Sequence, residues 1–102
     1  MDWIEIIQLR PYTQQDRVNM IQAFKQLFIH QNFEGLIKII LFQGISLEND
    51  LSIHIHWHGS TSINGKSGLG RQLVNSFLEF GQIYHSGWML MKEHNVKKRE
   101  FF

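Results

Sequence analysis

The chain contains no cysteine, which excludes a disulfide framework, thiol catalysis and zinc sites built from thiolates. It also has little excess charge, because ten lysines and arginines are balanced by nine aspartates and glutamates, for a formal net charge of +1. So small a charge does not make a phosphate-tracking surface, and we expect no nucleic-acid partner. Long apolar runs and a basic leader before an apolar block are missing too, so we expect a cytoplasmic protein with no membrane partner.

What the chain does have is the composition of a globular protein, with 43% hydrophobic residues and eight phenylalanines among 102 residues. This length supports one hydrophobic core and leaves no room for a second domain. We therefore predict a single domain over residues 1–93. Residues 94–102, "HNVKKREFF", follow neither a helical nor a strand period and are predicted to form a polar, basic tail.

The hydrophobic pattern predicts six elements in the order strand, helix, strand, strand, helix, strand. The four strands are predicted over residues 3–10, 35–44, 51–58 and 83–93. Capping residues mark the start of both helices. The first begins at Thr13, ends before Gly35 and has an apolar stripe of Val18, Ile21, Phe24, Leu27 and Phe28. The second begins at Ser67, ends at Gly81 and has an apolar stripe of Leu69, Leu73, Val74, Phe77 and Phe80.

This order predicts an α+β fold with ferredoxin-like βαββαβ topology, in which two helices cover one face of a four-stranded antiparallel sheet. The strand predicted over residues 35–44, "GLIKIILFQG", is apolar on both sides. We assign one side to Leu36, Ile40 and Phe42 and the other to Ile37, Ile39 and Leu41. Two helices cover only one face, so the other needs a second copy, and we predict a homodimer.

The strands "IEIIQLR", "LIKIILF", "LSIHIHWHG" and "SGWMLMKE", in this order and within 102 residues, resemble the dimeric α+β barrel superfamily. That superfamily includes the antibiotic-biosynthesis monooxygenases and related small proteins. The resemblance covers residues 3–93 and rests on architecture, without a residue-level motif. It implies a homodimer and a pocket between the helices and the sheet, but fold analogy does not choose among the superfamily's activities.

Three histidines alternate with apolar residues in "SIHIHWHG", Ser52 to Gly59. Residues two apart in a strand lie about 6.6 Å apart on one face, so a metal ion can bind two of His54, His56 and His58 but not all three. A third ligand would come from His85, Glu5 or Glu93. The alternative, which we favour, places these histidines on the hydrated face of the sheet with no metal bound. A catalytic acid–base role for one of them is a third reading.

The loop "GSTSINGKSGLG", Gly59 to Gly70, has five residues between its first glycine and Gly65-Lys66, where a Walker phosphate loop has four. We therefore do not predict nucleotide hydrolysis. Lys66 and the free amides at the start of the second helix can still hold a small anion. The other readings are a solvated Gly/Ser loop and a lid over a ligand.

Aromatic side chains predict either plain core packing or an apolar cavity between helices and sheet. For the second case we name the residues expected to bind the ligand: Arg71, Asn75, Tyr84, His85 and Trp88. The catalytic candidates among them are His85, Trp88 and Tyr84.

Two functions remain open from the sequence. The first is a homodimeric small-molecule-binding protein of the antibiotic-biosynthesis-monooxygenase-like kind, which oxidises an apolar or aromatic compound without a cofactor. The second is a non-catalytic dimer that acts as an interaction or regulatory module. Whether the chain is an enzyme is left undecided by its residues.

Overall fold

The computed structural model describes residues 1–27, 33–61 and 63–97. Four strands form one antiparallel sheet: β1 (Asp2–Pro11), β2 (Leu36–Gln43), β3 (Leu51–His58) and β4 (Gly81–Met89). The strand order across the sheet is β2-β3-β1-β4, so β1 pairs with both β3 and β4. Helix α1 (Gln14–Lys25) follows β1, and helix α2 (Gly68–Phe77) precedes β4. The predicted ferredoxin-like βαββαβ fold is confirmed.

Alternation along the strands gives the sheet two faces, because successive side chains point to opposite sides. On the helix face, the core contains Trp3, Ile7 and Leu9 of β1 and the odd-numbered residues of β3. The predicted assignment of β3 is confirmed, since its burial alternates from Leu51 to Trp57 and places the histidines on the other side. We call that other side the open face.

Helix α1 begins as predicted, with the Thr13 side chain accepting a hydrogen bond from the Asp16 backbone N–H at 3.0 Å. The helix ends at Lys25, well before Gly35. Its predicted stripe needs correction, because Val18 is exposed and Met20, which was not predicted, is buried. Ile21, Phe24 and Leu27 pack against the core as expected, and Phe28 lies outside the described residues.

Strand β2 contains a bulge between Leu36 and Lys38 that the sequence pattern did not show. The extra residue reverses the side on which Leu36 lies relative to the rest of the strand. Leu36 therefore shares the helix face with Ile39 and Leu41, whereas Ile40 and Phe42 lie on the open face. The predicted grouping of Leu36 with Ile40 and Phe42 is wrong for this reason.

Helix α2 begins after Ser67 as predicted, and it buries Leu69, Leu73 and Phe77. Gly81, expected to close the helix, is instead the first residue of β4, where it pairs with Pro11. The last strand ends at Met89, four residues before the predicted end of the domain. Residues 90–97 form neither helix nor strand and are exposed, and Lys98 and Arg99 of the basic run lie outside the described residues.

Within residues 1–27, 33–61 and 63–97, no helix has the length and apolar character needed to cross a membrane.

Candidate functional site

The feature of the interior that stands out is a carboxyl group. Glu5 lies on the helix face of β1, between Trp3 and Ile7, and its side chain is completely buried. A buried charged group is costly unless hydrogen bonds replace the lost water. The groups that contact the Glu5 carboxyl group therefore define the candidate site.

Three nitrogen atoms surround the Glu5 carboxyl group. The indole Nε1 of Trp57 donates to Oε1 at 2.8 Å, and the backbone N–H of Ser67 donates to Oε2 at 3.1 Å. The imidazole Nε2 of His85 lies 2.6 Å from Oε2. These three groups come from β3, from the residue that caps α2, and from β4. Glu5 therefore connects β1 to three other parts of the chain.

This arrangement lies at the start of α2, where the sequence predicted a site for a small anion. The Ser67 amide donates to the Glu5 carboxyl group, and the Ser67 hydroxyl accepts from the Gly70 amide at 2.9 Å. A carboxyl group near a helix N-terminus is favourable because the first backbone N–H groups have no partners within the helix. The backbone N–H of the residue that caps α2 is thus already bound to a carboxyl group of the protein itself.

We call Glu5, Trp57, Ser67 and His85 the Glu5 cluster. Glycines leave the space that these side chains occupy. A Cβ atom at Gly70 would overlap Glu5 Oε2 and lie 3.0 Å from His85 Cε1. Gly65 has a positive φ of 66° and approaches β4 so closely that a Cβ atom there would lie 2.9 Å from Gly87 Cα. These contacts place the start of α2 directly against the sheet.

Two tryptophans flank the cluster. Trp3 and Trp57 are opposite each other in neighbouring strands and stack with ring centroids 5.6 Å apart and planes 13° from parallel. Trp57 uses its indole N–H on Glu5, whereas the buried Nε1 of Trp3 has no hydrogen-bond partner among the described residues.

Chemically, a carboxyl group beside an imidazole orients the ring and fixes which nitrogen carries the proton. The His85 side chain is only 8% exposed. With Glu5 holding Nε2, the pair positions the ring within the interior. The direct effect of the Glu5–His85 contact is to attach β4 to β1 and to the start of α2.

A second feature is an open cleft of about 910 Å³ where β1 ends and β4 begins. The turn between β2 and β3 borders it on one side. We call it the sheet-end cleft. Its walls combine phenol rings, apolar side chains and one cation: Arg10, Tyr12, Ile45, Leu47, Leu78 and Tyr84.

One ion pair lies at this cleft. Arg10 binds Asp50 through two hydrogen bonds, from Nε at 3.2 Å and from a terminal nitrogen at 3.0 Å. The hydrogen bonds to Asp50, followed by its negative charge, raise the pKa of the Arg10 guanidinium further above its already high value. The pair keeps a permanent cation at the wall of the cleft.

The open face carries the predicted histidines. His54 lies beside Ile6 and Ile40 in the sheet, and its ring packs on Phe42 with centroids 4.5 Å apart. Burial, followed by the charge of His56, lowers the pKa of His54. Burial and then the charge of Lys38 lower the pKa of His56.

The predicted metal ligands lie apart. Glu5 and His85 are on the helix face, on the side of the sheet opposite to His54 and His56. His58 is bonded through Nδ1 to Asp2 at 2.6 Å, and this hydrogen bond is the main reason that the pKa of Asp2 is lowered. No group of three metal-binding side chains comes together in the part of the chain that the structure describes.

The five residues expected to bind a ligand do not form one pocket. Tyr84 and Trp88 are exposed on the open face, whereas His85 is buried on the helix face. Arg71 and Asn75 are exposed on α2, away from its buried stripe. Of the five, only Tyr84 lines the sheet-end cleft.

The sequence pattern pointed to Glu5 only as a candidate metal ligand. A signal was present, because Glu5 alternates with Trp3 and Ile7 in "WIEII" and so occupies a core position of the strand. The donors around it, in contrast, are separated from it by 52 to 80 residues. Only the fold brings them together.

The fold and its two sites can be compared with known proteins. No protein-family model matches the sequence, and no curated protein is similar enough to be called a relative. Solved structures do match: they include ferredoxin-like dimeric α+β proteins and proteins of the antibiotic-biosynthesis-monooxygenase-like kind. The architecture that the sequence suggested is therefore confirmed at the level of the fold.

Three of these structures are representative. A dimeric ferredoxin-like protein from an uncultured marine organism has a TM-score of 0.64 and 10% identity, covering 94% of this chain and 93% of its own. A conserved protein of unknown function from Bacteroides thetaiotaomicron has a TM-score of 0.63 and 17% identity, covering 85% and 95%. SnoaB, a cofactor-independent oxygenase from Streptomyces nogalater, has a TM-score of 0.58 and 8% identity, covering 90% and 95%.

Proposed function

We propose that the protein is a homodimer that binds a small apolar or aromatic compound in the sheet-end cleft and oxidises it with molecular oxygen, without a bound cofactor. The observation that carries the proposal is the cleft itself. Its volume of about 910 Å³ lies within the range of about 300 to 1,000 Å³ that is usual for small-molecule sites.

The chemistry of the cleft favours a flat aromatic ligand. Tyr12 and Tyr84 offer ring faces for stacking and hydroxyl groups for hydrogen bonds, and Leu47 and Leu78 supply apolar contacts. The Arg10 guanidinium, kept in place by Asp50, can pair with the oxygen of a phenolate. We therefore expect a phenol or quinol ligand.

Homodimer formation is supported by the open face. It exposes Phe42 and Trp88 beside the half-buried Ile4, Ile6 and Ile40, and a contiguous apolar patch on a protein surface commonly marks an interaction site. A two-fold contact between open faces would cover both at once. A solved protein of similar fold is described as dimeric.

The proposed reaction needs no reductant beyond the substrate. In an electron-rich phenol that carries a ring CH₂ group, molecular oxygen oxidises this group to a carbonyl. One atom of O₂ becomes the carbonyl oxygen, and the other leaves as water with the two hydrogens of the CH₂ group. The phenolate supplies the electrons, so a site that binds and holds it supports the reaction. SnoaB, which has this fold, is described as a cofactor-independent oxygenase.

The test is to incubate the purified protein in air with a panel of quinols and polycyclic phenols. We expect at least one compound to raise the melting temperature and to gain one atom of ¹⁸O under ¹⁸O₂. Leu47→Glu, which places a charge in the cleft, should abolish both effects. Val18→Glu, on the exposed side of α1, should preserve them. If no compound in the panel binds and none is oxidised, the proposal is wrong.

The second candidate is a non-catalytic dimeric interaction module. It is favoured by the burial of His85 against Glu5, because this removes the best general base among the predicted residues from the solvent. A stable dimer with an apolar open face and no response to any phenol would support this alternative.

A further inference from the structure

Residues 90–97, which follow β4, are all exposed. Leu90 is attached by one backbone hydrogen bond, from its N–H to the carbonyl of Asp2 at 3.0 Å. Beyond it, Met91 is 93% exposed and Val96 is 90% exposed. Apolar side chains held in water at this level are unfavourable unless another surface covers them. We call residues 90–97 the tail segment.

None of residues 90–97 belongs to the hydrophobic core, and none of them lines the sheet-end cleft. The tail segment is therefore available as an arm for contact with a second molecule.

The sheet-end cleft lacks a cover on one side. Small-molecule sites usually bury about 70 to 90% of the ligand surface. This cleft is open along one side, and its borders include Ile45, which is 97% exposed, and Leu47, which is 60% exposed. A ligand in a single copy of the chain would thus remain partly in water, so the site needs a roof.

We propose that the tail segment of one copy forms the roof of the sheet-end cleft of the other copy. The inference rests on the homodimer and the cleft described under the proposed function. It adds that each ligand site is made of residues from both chains, with Met91 as the side chain that enters the partner's cleft. Its flexible thioether adapts to an irregular apolar surface next to Ile45 and Leu47.

The position of the two parts in the sheet supports this arrangement. The tail segment leaves β4 at Met89, beside Trp3 at the start of β1, whereas the cleft lies where β1 ends near Pro11 and β4 begins at Gly81. The arm and the cleft are thus at opposite ends of the same sheet. A two-fold axis in the plane between the open faces, perpendicular to the strands, places each arm over the cleft end of the other copy.

The reach of the arm is sufficient. Packed sheets lie about 10 Å apart. When extended, residues 90–97 span about 26 Å. The arm can therefore cross to the facing sheet. To reach the cleft of its own chain it would have to return along the full length of β4, which is about 30 Å for nine residues.

The absence of cysteine allows a direct test by disulfide cross-linking. Full-length Met91→Cys is mixed with full-length Leu47→Cys of different mass, the subunits are exchanged, and the mixture is oxidised mildly. We expect a mixed disulfide between the two chains to form at least tenfold faster than in the control mixture, Met91→Cys with Val18→Cys. Val18, on α1, is exposed and does not line the cleft. Each substituted side chain is exposed, so the variants should fold.

Equal rates in the two mixtures would overturn the inference, as would a faster disulfide between two Met91→Cys tails than between tail and cleft. The result does not depend on any ligand. If cross-linking succeeds but no phenol binds, the proposed function fails, whereas the contact of the tail segment with the partner's cleft is still supported. If phenols bind but the cross-link to Leu47→Cys is no faster than the control, the tail inference fails alone.

Discussion

Glu5 Oε2 and His85 Nε2 lie 2.6 Å apart on neighbouring strands, and both side chains are almost completely buried. The same carboxyl group accepts hydrogen bonds from Trp57 and from the Ser67 backbone. One side chain therefore joins β1, β3, β4 and the start of α2. Its loss is expected to affect stability first.

Glu5→Gln tests this connection. An amide has one acceptor oxygen where the carboxyl group has two, so its NH₂ group must face the N–H of either Trp57 or Ser67. We expect the free energy of unfolding to fall by about 2 to 4 kcal/mol. Urea denaturation measures the change, and Glu79→Gln, at an exposed position on the chain, should stay within about 0.5 kcal/mol. A change in Glu5→Gln as small as in the control would contradict the role assigned to Glu5.

Two glycines of α2 provide a matched pair. Gly70→Ala should destabilise the protein by about 2 kcal/mol although alanine favours helices, because its Cβ overlaps Glu5 Oε2. Gly68→Ala has open space around the new Cβ and should be neutral or stabilising by up to about 1 kcal/mol. Thermal unfolding of both variants gives the signs. The same sign for both would show that the cluster does not constrain α2.

Acid is expected to weaken the fold through the open face. The pKa values of His54 and His56 are lowered, so the folded chain takes up their protons at lower pH than the unfolded chain. Stability is therefore complete above pH about 6.5, falls as the pH drops through that value, and levels off below the folded-state pKa values. Urea midpoints between pH 7.5 and 5 measure the effect.

The variants His54→Gln and His56→Gln should each reduce this loss of stability. A profile as steep in these two variants as in the unaltered chain would show that other groups cause the acid sensitivity.

The proposed dimer is tested at Phe42, on the open face. Phe42→Glu would place a charge between the facing sheets twice, once from each copy, and should raise the dimer dissociation constant at least about 100-fold. Val18→Glu has a nearly identical starting exposure, 44% against 45%, but lies on α1 and should leave the dimer intact. Analytical ultracentrifugation distinguishes about 24 kDa from the 12.1 kDa of one chain. A monomer in the unaltered protein would contradict the proposed assembly.

The sequence predicted the order and type of all the major elements because strand and helix periods are local properties. The β3 strand was predicted with its observed ends and faces, since Leu51 to Trp57 alternate without interruption. Where an extra residue interrupts the alternation, as at Ile37 in the β2 bulge, the pattern alone assigned Leu36 to the wrong side. A bulge is fixed by pairing with the neighbouring strand, which local pattern does not contain.

The sites were less predictable for a related reason. Tyr84 and His85 are adjacent in a strand, so they point to opposite faces and could not share one pocket on the sheet. The sheet-end cleft depends on the conformation of the turn between β2 and β3, and the Glu5 cluster on residues far apart in the chain. Both require the tertiary arrangement, and neither has a sequence motif.

The central position of β1 in the sheet affects how the molecule is made. β1, which is synthesised before the other three strands of this sheet, pairs on one side with β3 and on the other with β4, whose Met89 is placed opposite Trp3. At about 5 to 20 residues per second, a ribosome needs roughly 4 to 17 s to extend the chain from one to the other. Until β4 has emerged, the edge of β1 that pairs with it has no native partner. The nascent chain is therefore expected to need protection from aggregation during that interval.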